Sequence, residues 1–291
     1  MEMGASVVKT SVVRPLRWLG AALLLALLII SSIPFIFPFW WMIIGSLKNP
    51  TEIFAFPPTL LPKEWQWQNY VEVFRYQPYA LHYFNSVYIA VLVTIGTLFV
   101  ASLSGYAFAR IPFPGRSLLF ILLLSSIMMP AEVLIIPNFF MMKMLGLSDT
   151  HFPLIVIPIL GAPAVVGTFM MRQFFVSIPH EIEDAATVDG ANRFGIFWHV
   201  ALPVATPALG GLAILTYLAS WNLFLEPLVF LDSINLWTIP LSLRNFVDPY
   251  GTPLWHLQLA ATTLSVLPIL IIYVVAQRQI VDSFATSGVK G

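Results

Sequence analysis

The residues best able to do chemistry or to bind a soluble partner are acids that crowd into one short segment. Four of the 14 Asp and Glu residues fall there: Glu181, Glu183, Asp184 and Asp189. Helical spacing places Ile182, Ala185, Ala186 and Asp189 on one face of a short helix. Gly190 then predicts a stop in the left-handed conformation. The segment is either a docking helix whose small alanines allow close approach, or a plain link that packs on its own chain.

Two further acids, Glu132 and Glu226, stand inside long apolar stretches, where an ionisable residue is a functional candidate by default. We predict that they face a polar cavity; the alternative is that each lies near an interface and reaches water. Trp221 and Asn222 are candidates for binding a sugar-like solute, because a ring packs on its apolar face and an amide pairs with hydroxyls. Tyr217 joins this set, and the alternative for these residues is packing between helices.

The other reactive residue types predict no catalytic or metal site. The absence of cysteine excludes disulfides, thiolate ligands and cysteine nucleophiles. The five histidines are scattered, and His180-Glu181 lacks the second histidine of a zinc-protease helix, because Asp184 stands there. The sequence has no Gly-x4-Gly-Lys-Ser/Thr loop to hold phosphates. We expect no catalytic residue, no metal and no cofactor in this chain.

The amino-acid composition indicates the class of protein in which these residues are placed. Of 291 residues, 58% are hydrophobic and 10% are charged, whereas a soluble domain carries about 25% charged residues. Such a chain has too little polar surface to fold in water. Its 14 basic and 14 acidic residues also give no basic excess for nucleic acid. The composition therefore indicates an integral membrane protein.

Six nearly uncharged stretches can each supply a membrane-crossing helix of about 20 residues. The predicted fold is an all-α, polytopic transmembrane helical bundle, a single domain over residues 1–291. The predicted spans are 18–45, 83–109, 117–142, 152–172, 204–230 and 257–279. Met129-Pro130 and Pro137 are expected to break the third span, which is tolerated where backbone lines a cavity. The apolar run from Leu19 is too long for a cleavable signal peptide.

Lys and Arg residues indicate the orientation. With the N-terminus inside, nine of the 14 lie in cytoplasmic segments, and an excess of this kind marks the cytoplasmic side. Both termini and loop 173–203 are therefore predicted to be cytoplasmic. Within that loop we predict one short helix N-capped by Ser177 and a second helix from Arg193 to Ala201 that ends ahead of Pro203. The outer loops 48–82 and 231–256 carry aromatic residues that favour the membrane interface.

The charged loop resembles the EAA motif of bacterial ABC-importer permeases. That motif reads Glu-Ala-Ala, three residues, Gly, nine residues, Ile, one residue, Leu-Pro. The matching residues here, without a gap, are Asp184-Ala185-Ala186, Gly190, Val200 and Leu202-Pro203. Asp184 replaces the Glu of the family and Val200 replaces its Ile. The shorter carboxylate of Asp184 reaches less far toward a basic partner.

The resemblance extends over most of the chain. Further matching runs are Asn85-Ser86, Tyr106-Ala-Phe-Ala-Arg110, Phe113-Pro-Gly-Arg116, Met129-Pro130 and Gly146-Leu-Ser-Asp-Thr150. Trp221-Asn-Leu-Phe-Leu-Glu-Pro227 resembles a run of carbohydrate permeases. The tail Ser287-Gly-Val-Lys-Gly291 resembles the ending of maltose-permease G-type subunits, although Ser283-Phe284-Ala285 departs from the usual Gly-Leu-Thr. The match is to the sugar-uptake subfamily.

The resemblance implies the ABC type I importer permease fold and import of a sugar or a related polyol or oligosaccharide. It implies a second permease subunit as heterodimer partner and two ATP-binding-cassette ATPase subunits that bind ATP and Mg. It also implies an extracytoplasmic solute-binding protein, contact with membrane lipid, and a bacterial or archaeal inner-membrane location. The residues carried over to ATPase coupling are Glu183, Asp184, Ala185, Ala186, Asp189, Gly190, Leu202 and Pro203. Those carried over to tail contacts with the ATPase are Gly288, Val289 and Lys290.

Other functions are weighed against this one. A permease for another solute, such as a glycerol phosphate ester, would favour a cationic cavity, while the spans here contain acids. A stand-alone secondary transporter typically shows internal inverted repeats, and no convincing repeat is found. A membrane enzyme would need a convergent catalytic set, which the sequence lacks.

Overall fold

The structure, a computed structural model, describes residues 13–288, with side-chain surroundings for residues 20–274. Over that range the regular elements are helices, apart from one isolated antiparallel bridge between Val247 and Pro253. The α-helices are α1 (Val13–Ser46), α2 (Pro50–Ile53), α3 (Gln68–Tyr76), α4 (Tyr79–Arg110), α5 (Arg116–Ser125), α6 (Ala131–Met144), α7 (Phe152–Leu160), α8 (Ala162–Ser177), α9 (His180–Val188), α10 (Arg193–Ile196), α11 (Leu202–Val204), α12 (Thr206–Trp221), α13 (Leu225–Phe230), α14 (Ile239–Leu243) and α15 (Trp255–Gly288). The all-α prediction is confirmed.

Among the described residues, four helical stretches are long and apolar enough to cross a membrane: Gly20–Ser46, Tyr79–Arg110, Phe152–Ser177 and Trp255–Val274. They correspond to the first, second, fourth and sixth predicted spans. Two bent pairs, Arg116–Met128 with Ala131–Met144 and Arg193–Val204 with Thr206–Trp221, meet the same criteria only when joined. Counting each pair as one span raises the number to six.

The predicted third and fifth spans are not straight helices. The two halves of the third meet at 96° across Met129-Pro130, because Pro130 has no N–H to donate and adopts an extended backbone. The break expected there is confirmed, whereas Pro137 lies inside α6 without ending it. The fifth span bends by 75° at its start, and α12 ends at Trp221, before the separate short helix α13.

Helix α4 runs through the middle of the bundle. It contributes to three buried apolar clusters through Tyr79 and Ala90, Ile89 and Val93, and Ala101 and Tyr106. Helices α7, α8 and α12 pack along it. The positions of the other helices are therefore set relative to α4.

Small residues let α4 and α8 approach each other closely. A Cβ atom added to Gly105 would lie 2.7 Å from the Cβ of Met171 and 2.9 Å from the backbone nitrogen of Arg172. The hydroxyls of Ser104 and Thr168 hydrogen-bond between the two helices at 2.6 Å. In lipid, helices associate through such close packing and interhelical hydrogen bonds rather than through the hydrophobic effect.

Helix α1 presents a wide apolar surface. None of the residues in its most apolar window is buried, and Leu23 and Phe35 are 69% and 77% exposed. It packs on α15, and at its end the Ser46 hydroxyl hydrogen-bonds to the Tyr70 hydroxyl of α3 at 2.7 Å. An apolar surface of this extent is stable against lipid or an apolar partner, not against water.

We expect Gly105→Ala to destabilise the bundle by about 1–3 kcal/mol, because overpacking forces α4 and α8 apart. Gly211→Ala is the matched control, since a Cβ atom at this α12 position meets no atom within 4 Å. Thermal unfolding in detergent micelles measures both. A Gly105→Ala protein as stable as the Gly211→Ala protein would contradict the close packing of α4 on α8.

Candidate functional site

The bundle has two ends that differ in chemistry. The end formed by Arg110, the C-terminus of α8, and α9 is called here the α9 end. The loops 47–78, 145–151 and 231–254 form the opposite end. A cavity lies between the two ends, beside the middle of α4. The residues of the EAA-like motif lie at the α9 end, and Glu226 lines the cavity.

At the α9 end, the motif helix is closed by its own glycine. Gly190 has φ +88°, so the predicted left-handed conformation is confirmed. Its N–H donates to Thr187 O, and the N–H of Ala191 donates to Ala186 O, both at 3.0 Å. These two bonds form the Schellman arrangement, which satisfies carbonyls that the helix end leaves without partners.

The start of α9 differs from the sequence prediction. Ser177 is not its N-cap: Ser177 ends α8, where its hydroxyl donates to Phe174 O at 2.7 Å. Pro179, with an extended backbone, directly precedes α9. Glu181 and Glu183 lie in the first turn, where free N–H groups and the helix dipole favour negative charge.

The return segment also runs further than predicted. The helix from Arg193 does not end ahead of Pro203 but continues through a π turn, Phe197–Ala201, into α11. In a regular α-turn, the proline ring would clash with the carbonyl four residues before it. The wider π turn relieves that clash, so Pro203 lies inside the helical run.

Most of α9 is available to a partner. None of its residues is buried, and Val188 and Ile182 are 87% and 42% exposed. The predicted coupling residues that are exposed are Asp184, Ala185, Asp189, Gly190 and Pro203, while Glu183, Ala186 and Leu202 are half-buried. The neighbouring rings of Phe194 and Trp198 stack with centroids 6.5 Å apart and are also exposed. This end therefore combines exposed acids with exposed apolar side chains.

Arg110 belongs to this end, although the sequence identified it only as part of a family run and not as a site residue. Its Nε lies 2.9 Å from Oε1 of Glu183, and the two side chains are only 3% and 13% exposed. Tyr106, one turn earlier on α4, donates its hydroxyl to Oε2 of Glu183 at 3.4 Å. The signal available in the sequence was this Tyr-x3-Arg spacing, which places both side chains on one face at the end of α4.

A cavity of about 430 Å³ opens where three helix breaks meet. Its lining comes from the α5–α6 bend, from the α7–α8 break around Gly161, and from the α12–α13 break, with Val93 of α4 beside them. The polar groups of its wall are Ser126, Asn138, Thr216, Ser220 and Glu226. The buried hydroxyl of Ser220 has no hydrogen-bond partner in the described chain. The volume lies in the range of small-ligand sites.

Of the predicted solute residues, only one lines this cavity. Glu226 lines it, while Glu132, exposed in the first turn of α6, does not. Trp221 and Tyr217 are 3% and 8% exposed, and their rings stack within a buried cluster away from the cavity lining. Asn222 caps α12, where its amide donates to Leu218 O at 2.8 Å. In this chain Trp221, Tyr217 and Asn222 pack and cap helices, and a solute role for them stays a prediction.

Polar side chains at the start of α4 hold the opposite end. Asn85 donates to the carbonyls of Asn235 and Trp237 at 2.9 and 3.0 Å. Ser86 Oγ accepts the N–H of Ile239 at 2.7 Å. These bonds satisfy loop backbone groups that no helix or strand pairs.

Two histidines that are distant in sequence meet the same loop. His82 and His151 hydrogen-bond through Nε2 to the carbonyls of Ile234 and Leu236, at 2.7 and 2.6 Å. Their role in the structure is to order the loop. Across the described chain, no three His, Asp or Glu side chains come together as a metal site. Of the predicted tail residues, Val289 and Lys290 lie outside the described residues. Gly288 is the last residue of α15, and its surroundings are also outside the described part.

Asp149 joins loop 145–151 to loop 231–254. It has φ +53°, and its Oδ1 accepts the N–H groups of Asp232 and Ser233, both at 2.9 Å. The Ser233 hydroxyl donates to Oδ2. The Ser233 hydroxyl, together with the N–H groups of Ser233 and Asp232, lowers the pKa of the Asp149 carboxyl.

The fold matches a solved transporter. The crystal structure of a bacterial ABC transporter involved in the import of the acidic polysaccharide alginate superimposes with a TM-score of 0.72. The match covers 94% of this chain and 99% of that chain at 23% sequence identity. The bundle with its broken spans is therefore the fold of an ABC-importer subunit.

Curated relatives show the family. The arabinooligosaccharide transport permease AraQ of Bacillus subtilis is 33% identical over 263 residues, 89% of this chain and 92% of the relative. The inner membrane ABC transporter permease YcjP of Escherichia coli is 31% identical, covering 96% of this chain and 98% of the relative. The sn-glycerol-3-phosphate permease UgpE of Yersinia enterocolitica is 30% identical, covering 90% and 94%. No protein-family model matches the sequence. The chain belongs to the sugar-transport permease family of ABC importers, multi-pass proteins of the inner membrane.

We expect Asp149→Asn to destabilise the protein at neutral pH, because the amide presents one fewer acceptor while asparagine still tolerates positive φ. The pKa of Asp149 is lowered in the folded state, so its contribution is present above the unfolded-state value of about 3.9 and is lost as the pH falls through the folded-state value. The difference in unfolding free energy between wild type and variant should therefore be constant at neutral pH and shrink in acid. A difference that does not change down to about pH 3 would contradict this role.

Proposed function

We propose that this chain forms one wall of the solute path in an importer for a sugar or a related polyol or oligosaccharide. The observation that carries the proposal is the chemistry of the cavity. Its wall combines apolar side chains with hydroxyls, one amide and one carboxylate, and no Lys, Arg or His is among its lining residues. Hydroxyls and amides pair with sugar hydroxyls, and apolar groups pack against the sugar face. The arabinooligosaccharide permease among the relatives agrees with this class of solute.

In the proposed orientation, the α9 end and both termini lie in the cytoplasm, and each bent pair serves as one span, giving six. Arg110 and Arg172 lie at the α9 end, and Arg116 and Arg193 begin the helices beside it. Clustered arginines of this kind favour the cytoplasmic side. The cavity, near the middle of the 32-residue helix α4, then lies at membrane depth.

The proposed partners follow from the surfaces that the chain leaves open. An ATPase subunit covers the exposed α9 with Phe194 and Trp198, because so much apolar surface beside acids needs a soluble partner. ATP and Mg are bound by two such partner subunits. A second permease subunit supplies the other wall of the path, and an extracytoplasmic binding protein delivers the solute to the opposite end.

Solute class is tested with the complete importer in membrane vesicles supplied with ATP. The partner subunits are those encoded beside this chain. We expect ATP-dependent uptake of neutral oligosaccharides or polyols, whereas sn-glycerol 3-phosphate should not be taken up, because no cation in the cavity wall meets its phosphate. Preferential uptake of the phosphate ester would overturn the proposal.

We expect Glu226→Gln to raise the KM for uptake about 10-fold to 100-fold, the equivalent of losing a hydrogen bond to a charged group. Glu64→Gln is the matched control, because Glu64 is exposed at the opposite end and does not line the cavity. Uptake kinetics in vesicles, at equal amounts of assembled complex, separate the two variants. Unchanged uptake kinetics in Glu226→Gln would mean that this cavity is not part of the solute path.

We expect Gly190→Val to abolish most of the solute-stimulated ATP hydrolysis while Gly190→Asn retains it. An added Cβ atom meets no atom within 4 Å, so in this chain the effect arises from φ +88°, which a β-branched residue adopts only under strain and asparagine tolerates. ATP hydrolysis by the reconstituted complex, with and without solute, is the measurement. Full stimulation in Gly190→Val would mean that the shape of this turn does not serve coupling.

A further inference from the structure

The Arg110 side chain contacts several residues of the segment that leads into α9. Beyond the contact with Glu183, its Nη2 donates to the carbonyl of Ile178, and its Nη1 lies 2.8 and 3.0 Å from the ring nitrogens of His180. Only arginine offers five N–H donors in one fixed fork. The guanidinium thereby meets the linker before α9, the first residue of α9 and the acid one turn inside it.

Apart from the two-residue link to α8, Ile178-Pro179, little else attaches α9 to the bundle. It buries no residue of its own, and it packs on the return segment Arg193–Ala201 rather than on a long span. Tyr106 adds a second contact from α4 to Glu183, and its ring is held by Phe175 and Phe197 with centroids 5.5 and 5.2 Å away. The two side chains of α4 therefore provide a polar attachment where apolar burial is absent.

The helix that carries Arg110 also contributes to the cavity wall. Val93 lines the cavity and lies on the same unbroken helix as Arg110. At 1.5 Å per residue, the 17 residue steps from Val93 to Arg110 span about 26 Å. Because α4 is continuous, a displacement of its Arg110 end is carried along the helix to Val93 without needing a second contact.

We propose that Arg110 and Glu183 tie α9 to α4, so that a displacement of α9 is transmitted directly to the cavity wall. This inference rests on the proposed function, in which partner ATPases move α9. Arg110 and Glu183 are positioning residues, and the exposed Asp184 beside them remains free to meet the partner. Without the tie, α9 moves with the ATPase but α4 does not follow it. ATP is then hydrolysed without import of solute.

The test is the number of ATP molecules hydrolysed per solute imported by the complete complex. We expect Glu183→Gln to raise this ratio about fivefold or more, the size of a typical coupling between two sites. Tyr106→Phe, which keeps the ring and removes only the hydroxyl, should raise it less. Glu72→Gln is the matched control, since it breaks an exposed Glu72–Arg75 pair, 3.0 Å apart, at the opposite end. A normal ratio in Glu183→Gln would overturn the tie.

A double variant separates coupling from simple stability. In Arg110→Gln with Glu183→Gln, a tie predicts a ratio no worse than that of either single variant, because both remove the same interaction. Effects that multiply would mean independent roles and would overturn the proposal. If the wild-type complex imports no sugar or polyol at all, the proposed function itself is contradicted.

The absence of native cysteine allows a covalent replacement for the tie. The Arg110→Cys, Glu183→Cys protein should be uncoupled as prepared and should regain coupling after reaction with a short bis-maleimide. The same reaction on Glu72→Cys, Arg75→Cys should leave the ratio unchanged. Failure of the cross-linked complex to regain coupling would overturn the proposal, even if Glu183→Gln does not assemble.

Discussion

The close approach of α4 and α8 is the constraint on which the rest of this structure depends. Gly105 faces the α8 backbone at Met171 and Arg172, and a Cβ atom on Gly167 would lie 2.8 Å from the Cβ of Ala101. Glycine and alanine at these positions let two backbones come together where lipid supplies no hydrophobic driving force. Because α8 leads through Ile178 into α9, the same packing sets the end of α4 beside the start of the motif helix.

The cavity follows from interrupted helices rather than from a gap between straight ones. A helix that breaks at membrane depth exposes backbone groups, and this is tolerated only inside protein or beside a polar cavity. At the end of α12 the Leu218 carbonyl accepts both the backbone N–H and the side-chain amide of Asn222, and the stacked Trp221 and Tyr217 hold α12 against its neighbours. The residues that looked most suited to a sugar thus shape the break, while Ser220 and Glu226 face the space it creates.

Several charged residues in the described part of the chain organise loops and the ends of helices. Lys48 is 1% exposed, donates to Thr59 O and lies 4.8 Å from the Trp41 ring centroid. Glu52 accepts the Thr59 hydroxyl at 2.7 Å, and Asp149 holds the 232–233 backbone. At the α9 end, Arg110 and Glu183 do the same for the motif helix. A charge in or near lipid is costly unless it is paired, so these residues stand where loops must be held and partners met.

The sequence by itself determined the all-helical class, the Gly190 turn, the break at Pro130 and the family motif. These features depend on local rules, since a chain in lipid must satisfy its backbone groups within each helix, and glycine adopts the left-handed turn at no steric cost. Only the tertiary structure decided that Glu183 pairs with Arg110, that Trp221 turns away from the cavity, and that three breaks meet beside Val93. These outcomes join residues far apart in the chain. They follow from how closely α4 and α8 pack, and no spacing within a single segment encodes that distance.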